Sequence, residues 1–304
     1  MSVVLYGSPS TASLVVHWLL IELGVDHELR MLDFDRHEQK SPEYLAINPQ
    51  GRVPALLLDG QVLTESAAIA MHLADLHPQA GLAPAIATPA RAAYYRWMFF
   101  CAYTLMPAYR SWFYADEPAG EANADEVKAR ARQRIEAAWQ QVADHLEAHG
   151  PYLVGAQVSA ADFVLTMLMR WSRNMPRPTD HWPVLEAFAR RMKDRPSFAE
   201  VYRREGLTDW TGAQRDGPFH GGCGAPRAAQ GLARRPPARR SIPFQPAPWR
   251  ASARQSRSGS TVSGGRHRRV PRGVTTTGRL IRRGLSSMAA SRASSSASAS
   301  PCSA

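Results

Sequence analysis

Residues 50–66 read Gln-Gly-Arg-Val-Pro-Ala-Leu-Leu-Leu-Asp-Gly-Gln-Val-Leu-Thr-Glu-Ser, and this stretch decides the fold of the first part of the chain. Ala55 to Leu58 is an apolar run of strand length opened by Val53-Pro54. Asp59-Gly60 is a two-residue hairpin turn, and Val62-Leu63 begins the returning strand. Thr64-Glu65-Ser66 then starts a helix. A proline at the first residue of a strand donates nothing to the ladder, so the backbone N–H and C=O of Val53 are free for an extended ligand. The amides at the helix start, with the Ser66 hydroxyl, suit a carboxylate, and Glu65 suits an ammonium group. A ligand carrying both groups on one carbon fits this pattern.

Upstream, Val3 to Tyr6 is a short β-rich run. It is followed by Gly-Ser-Pro-Ser-Thr and by Leu14, Val15, Trp18, Leu19 and Leu23 at helical spacing. Glu28 to Phe34 alternates as a second strand, and Pro42 to Ile47 makes a short helix. The order is β-α-β-α-β-β-α. Joining the first two strands through a helix demands a parallel pair with a right-handed crossover, while the Asp-Gly turn demands an antiparallel pair, so the four-stranded sheet is mixed.

His77-Pro78 ends the third helix, and Gly81 to Pro89 reads as a linker. Ala90 to Phe113 is a long aromatic helix that Pro107 should kink or divide. Asp125 to His149 is a second helix, stopped by Gly150-Pro151. Ser159-Ala-Ala-Asp162 matches a reciprocal cap at the head of an apolar helix, a structural role. Trp182 to Lys193 and Ser197 to Arg203 supply two shorter helices.

These motifs, in this order, resemble the glutathione S-transferase family, whose pattern is a Val-Pro before a hairpin and a Glu-Ser at a helix start. The resemblance covers residues 1 to about 205. It implies a thioredoxin-like α/β domain over 1–80, a linker at 81–89 and an all-helical bundle over 90–210. By resemblance, Val53 bonds the cysteinyl backbone of glutathione, Pro54 is cis, Glu65 and Ser66 hold the γ-glutamyl end, and Gln50 and Arg52 reach the glycine carboxylate. It further implies a homodimer, with glutathione as co-substrate.

Glutathione conjugation needs the thiol as thiolate, hence a group that donates a hydrogen bond to sulfur. Candidates between the first strand and helix are Tyr6, Ser8, Ser10, Thr11 and Ser13. By resemblance to serine-type classes, Ser10 is the first choice and Thr11 the second. Either serves equally as a plain helix cap. Ser-Pro-Ser-Thr-Ala-Ser-Leu also resembles the beta-class motif Ser-Pro-Gly-Ala-Cys-Ser-Leu, with Ala12 where the cysteine would be, which argues against cysteine-dependent deglutathionylation. Tyr6, alternating with Val4, reads as a sheet-face residue. Of the aromatics crowding residues 94–114, Tyr103 and Trp112 are the candidates for a hydrophobic substrate site, the rest being core and dimer packing. Cys101 reads as a buried hydrophobe. His145 and His149 have metal-like spacing, but they lie in a last helical turn with no third ligand, and no metal is assigned.

Composition separates the end of the chain from the rest. Of its 304 residues, the 94 from Thr211 to Ala304 hold 17 of the 37 basic residues, all arginine, and one of the 26 acids, Asp216. Residues 1–210 keep 20 basic against 25 acidic residues, so the pI near 10.1 belongs to the tail and does not mark the rest as a nucleic-acid binder. The tail, 211–304, is expected to be disordered. Its lysine-free Arg/Ser/Pro/Ala composition matches a GC-rich gene read in the wrong frame, the alternative being a non-specific nucleic-acid or anionic-membrane tether through Arg234, Arg235, Arg239 and Arg240. Three scattered cysteines make no disulfide framework. The absence of a basic-then-apolar leader and of an apolar span points to a soluble cytoplasmic protein. The expected function is conjugation of glutathione to a small hydrophobic electrophile, a detoxification chemistry. The alternatives are a non-catalytic glutathione or ligand binder acting as an interaction module, and a glutathione-dependent isomerase of maleylacetoacetate type.

Overall fold

The computed structural model describes residues 2–208. The expectations for the tail, from disorder to tether or reading-frame origin, lie outside the described residues.

Strand β1 (Val3–Gly7) leads into helix α1 (Ser13–Glu22) and strand β2 (Glu28–Met31). A short helix α2 (Pro42–Leu45) precedes strands β3 (Ala55–Leu58) and β4 (Gln61–Thr64), and helix α3 (Ser66–Leu76) follows. The sheet order is β2-β1-β3-β4. β1 runs parallel to β2, with Leu5 opposite Leu29, and antiparallel to β3, with Leu5 opposite Leu56. The mixed sheet demanded by the crossover and the Asp-Gly turn is present. Asp59 at φ 48° and Gly60 at φ 82° are both left-handed. That is the primed turn whose twist matches the paired strands. β2 stops three residues short of the expected Phe34. The Asp33 carboxylate accepts from the backbone N–H of Asp35 and Arg36, folding the chain into a local turn that competes with strand continuation.

The second half is helical. α4 (Pro89–Phe100) is capped by Thr88, whose hydroxyl accepts from Arg91 N. The expected break at Pro107 takes the form of a π-helical turn, Cys101–Leu105, between α4 and α5 (Met106–Phe113). Pro107 has no N–H to donate, and its ring crowds the carbonyl one turn back, so the wider turn ahead of it accommodates the mismatch. α6 (Ala124–His149), α7 (Ala160–Trp171), α8 (Pro183–Lys193) and α9 (Pro196–Glu205) complete the described chain. At the start of α7 the Ser159 and Asp162 side chains cap reciprocally, and Asp162 also accepts from Leu153 N at 2.9 Å.

Two helices are buried on every side, α1 from Ser13 to Leu20 and α7 from Ala160 to Arg170. They join the halves into one core: the Trp18 ring lies 4.5 Å from Phe163 and 5.3 Å from Phe198. No described helix is long and apolar enough to cross a membrane.

Candidate functional site

The topology brings the predicted residues to one end of the sheet. The β3–β4 ladder closes with Ala55 opposite Thr64, and Tyr6 near the end of β1 also faces Ala55. One or two residues beyond that last pair lie Val53-Pro54 on one strand and Glu65-Ser66 on the other. The chain leaving β1 at the same end carries Ser8 to Thr11.

The approach to β3 is fixed through its backbone. Tyr44 Oη and Asn48 Nδ2 both donate to the Arg52 carbonyl, at 2.6 and 2.7 Å. Asn48 Oδ1 accepts from Gln50 N, and Lys40 Nζ donates to the Gln50 carbonyl. Burial pushes the Tyr44 hydroxyl up to about 12, so it remains a donor throughout the working pH range. Gly51 adopts φ +59°, and a Cβ there would meet Gln39 O at 2.8 Å. The side chains of Gln50 and Arg52 remain exposed. The Val53-Pro54 peptide is cis, and neither backbone group of Val53 bonds another described residue.

Glu65 sits at φ 66°, ψ 103°, a backbone conformation that side chains resist, and its exposed carboxylate is not used to cap α3. Ser66, the first residue of α3, is buried, with its Oγ 4.0 Å from Met106 Sδ in the helical half. An exposed carboxylate thus stands beside the open amides of an 11-residue helix.

The loop after β1 separates the two hydroxyl candidates. Thr11 Oγ1 donates to Ser8 O at 2.7 Å, lies 2.9 Å from Ser13 Oγ and accepts from Ser13 N at 3.3 Å. Thr11 therefore takes the capping role, and the formal cap, Ala12, has no side chain to offer. Ser10 does not cap. It sits at φ 61°, and every polar group of its backbone and side chain meets the helical half. Its N–H donates to Glu205 Oε2 at 3.2 Å, its carbonyl accepts from Trp171 Nε1 at 3.1 Å, and its Oγ accepts from Arg170 Nε at 3.0 Å. Tyr6 packs against Tyr44 as the sheet-face residue expected, with its hydroxyl accepting from Arg30.

The two aromatic candidates are placed apart. Tyr103 is 73% exposed and stacks on Phe99 with centroids 5.6 Å apart. Trp112 lines an open cleft of about 450 Å³ with Asp125, Lys128, Arg132, Glu136 and Pro176, a lining rich in charge, and Tyr103 takes no part in it. Cys101 is fully buried, and desolvation pushes its thiol far up, which makes it inert. His145 is bound to the Leu153 carbonyl at 3.0 Å, and His149 lies against its ring.

Arg170, Trp171 and Glu205 are missing from the sequence reading of the site. Arg170 did carry a signal, a cation placed directly after the apolar run Phe163-Val-Leu-Thr-Met-Leu-Met and before Trp171. Glu205, in an arginine-rich amphipathic helix, carried none.

The known relatives agree with this architecture. The Glutathione S-transferase N-terminal domain family matches residues 1–75 and the Glutathione S-transferase C-terminal domain family matches 104–204. Glutathione S-transferase GstA of Escherichia coli O157:H7 is 31% identical over 205 residues, 67% of this chain and 98% of the relative. A glutathione transferase homologue from Sulfitobacter, crystallised with bound glutathione, superposes with a TM-score of 0.61 at 31% identity, covering 68% of this chain and 99% of that one. A sphingomonad glutathione S-transferase complexed with glutathione gives 0.60 at 31% identity, over 67% and 100%. With both domain families matched in order, and a relative aligned over nearly its whole length, the chain belongs to the glutathione S-transferase family.

Proposed function

We propose that this protein binds glutathione at the end of the sheet formed by Val53, Glu65 and Ser66 and conjugates its thiolate to a small apolar electrophile. The observation that carries the reading is the unpaired backbone of Val53 lying across from the Glu65 carboxylate and the α3 amides. Together they supply a strand edge for a peptide, an anion for an ammonium and donors for a carboxylate. The N–H and C=O of Val53 pair with the cysteinyl residue, Pro54 fixes the approach, and Glu65 takes the γ-glutamyl ammonium. Ser66 and the first-turn amides take its carboxylate. The exposed side chains of Gln50 and Arg52 serve the glycine carboxylate. Glutathione-bound structures of two relatives support the same ligand class.

In the reaction the thiol proton passes to water, and the thiolate is held by a hydrogen bond from Ser10; Thr11, the second candidate, would first have to release its own hydrogen bond to Ser8 O. Sulfur then attacks the electrophilic carbon. An S–C bond forms, and the electron pair of the broken bond leaves with the departing group or settles on the acceptor atom of an addition substrate, which water protonates. The electrophile lies between the two halves; Tyr103 and Trp112 are alternative aromatic candidates for its contact, since they share no cleft.

Isothermal titration of glutathione into the full chain tests the reading. Binding should weaken at least about tenfold in both Glu65→Ala and Ser66→Ala, each of which removes a charge-assisted contact. A folded wild-type protein that takes up no glutathione overturns it.

A further inference from the structure

The serine assigned to sulfur is gripped by a cation that the reaction scheme does not use. Arg170 is 1% exposed, in the body of α7. Its Nε donates to Ser10 Oγ at 3.0 Å, while Nη1 donates to Tyr202 Oη at 3.2 Å and to the Thr208 carbonyl at 2.8 Å. The guanidinium also lies 5.1 Å from the centre of the Tyr202 ring. Several independent contacts fix the fork, so the direction of Nε is set by the fold.

A hydroxyl has one proton and two lone pairs. The Thr11 and Ser13 protons are committed among Ser8 O and each other. Arg170 has no acceptor, so at Ser10 it fills a lone pair and leaves the proton free. A charged donor on the oxygen also polarises the O–H, and in a buried site such chains strengthen one another. The Glu205 carboxyl group lies on Ser10 N–H and on His17 Nδ1 from α9, and among the described residues Tyr202 is a titratable group that faces the guanidinium.

We propose that Arg170 is a positioning residue that turns the Ser10 hydroxyl into the donor for the glutathione thiolate and strengthens that donation. This rests on the glutathione reading above. The thiol proton goes to water, Ser10 keeps its own proton, and the only new contact is the O–H···S⁻ hydrogen bond. The role predicts non-additivity: without Ser10, Arg170 has no route to sulfur.

The test is a pH titration of the bound thiol, followed by its ultraviolet thiolate absorbance, which needs no electrophile. Glutathione binding is measured by calorimetry in parallel on wild type, S10A, R170Q and the double variant. Binding should survive in all four. The midpoint should rise by about one pH unit, a tenfold loss of thiolate at a given pH, in S10A and in R170Q, and no further in the double variant. An unchanged midpoint in either single variant, or additive shifts in the double, overturns the proposal. Wild type that binds no glutathione removes the underlying reading instead, and this inference with it. If R170Q does not fold, the wild-type protein gives the answer by NMR. The Arg170 Nε–H resonance should shift with glutathione and far less with S-methylglutathione, which has no thiolate. Equal shifts, or none, overturn the proposal.

Discussion

At the scale of the residue, Glu65 shows a conflict between stability and binding. A glutamate at φ 66°, ψ 103° costs the fold on the order of 1–3 kcal/mol, and its side chain makes no capping hydrogen bond that would offset that cost. Glycine adopts such a conformation without steric penalty but loses more entropy on folding. Glu65→Gly should therefore raise the urea midpoint, by about 1 kcal/mol of stability, while glutathione affinity falls at least about tenfold. Glu65→Ala, which keeps the strained backbone, should lose affinity with no gain in stability. A Glu65→Gly protein no more stable than the alanine variant would show that the backbone there is not strained. The sequence identified Glu65 and Ser66 through the chemistry of their side chains, but a positive φ on a glutamate leaves no mark in composition. Ser10 repeats the lesson. Its hydroxyl was named as a candidate, yet the groups that bind it lie 160, 161 and 195 positions further along the chain, beyond any local pattern.

At the scale of the element, what was legible was what is local. The Asp-Gly hairpin, the Pro107 break and the Ser159–Asp162 cap are each encoded within a few residues, and each is present. The strand β2 was read from its alternation, but its early end at Met31 was missed because the Asp33 turn competes with an alternating pattern that alone reads as strand. The α7 cap permits a quantitative prediction. Asp162 is fully buried and accepts from Leu153 N, Ser159 N and Ser159 Oγ. Asp162→Ala orphans those donors and should cost about 3 kcal/mol in chemical denaturation. A loss under about 1 kcal/mol would mean that water replaces the carboxylate. Burial, only partly opposed by these hydrogen bonds, pushes the Asp162 carboxyl up to about 6 from an ordinary 3.8. Because the folded pKa is the higher one, the folded state holds the proton more tightly. This group's contribution is complete below about pH 3.8 and is lost as pH rises through about 6, the reverse of a salt-bridged carboxylate. The stability advantage of wild type over Asp162→Asn, which does not titrate, should thus shrink by roughly 2–3 kcal/mol between about pH 4 and pH 7. A constant or widening gap would show that the carboxylate is ionised throughout.

At the scale of the whole molecule, α1 belongs to both halves, and its grip on α9 joins them. Trp18 Nε1 donates to Ser197 Oγ at 2.8 Å, Glu22 binds Arg195 and Ser197, and His17 Nδ1 meets Glu205 Oε1 at 2.8 Å with neither side chain exposed. Removing one member of a buried pair strands the other, so Glu205→Ala should cost about 3–5 kcal/mol. Replacing both with apolar residues is different, because the desolvation of both polar groups disappears. His17 Nε2, buried with no partner among the described residues, disappears with it. One debt remains: Glu205 also accepts from Ser10 N, and an unpaired buried N–H costs about 1–3 kcal/mol. The double variant His17→Phe, Glu205→Leu should therefore recover most of the single-variant loss and stay about 1–3 kcal/mol below wild type. Urea denaturation of the full chain, followed by tryptophan fluorescence and by far-ultraviolet circular dichroism, reads both quantities. The two probes should coincide in wild type, because the Trp18 indole and the helices around it share one core. If the double variant loses as much as His17→Phe and Glu205→Leu measured singly and summed, the pair is not coupled, and the halves are held together by the apolar core and the other polar contacts of α1.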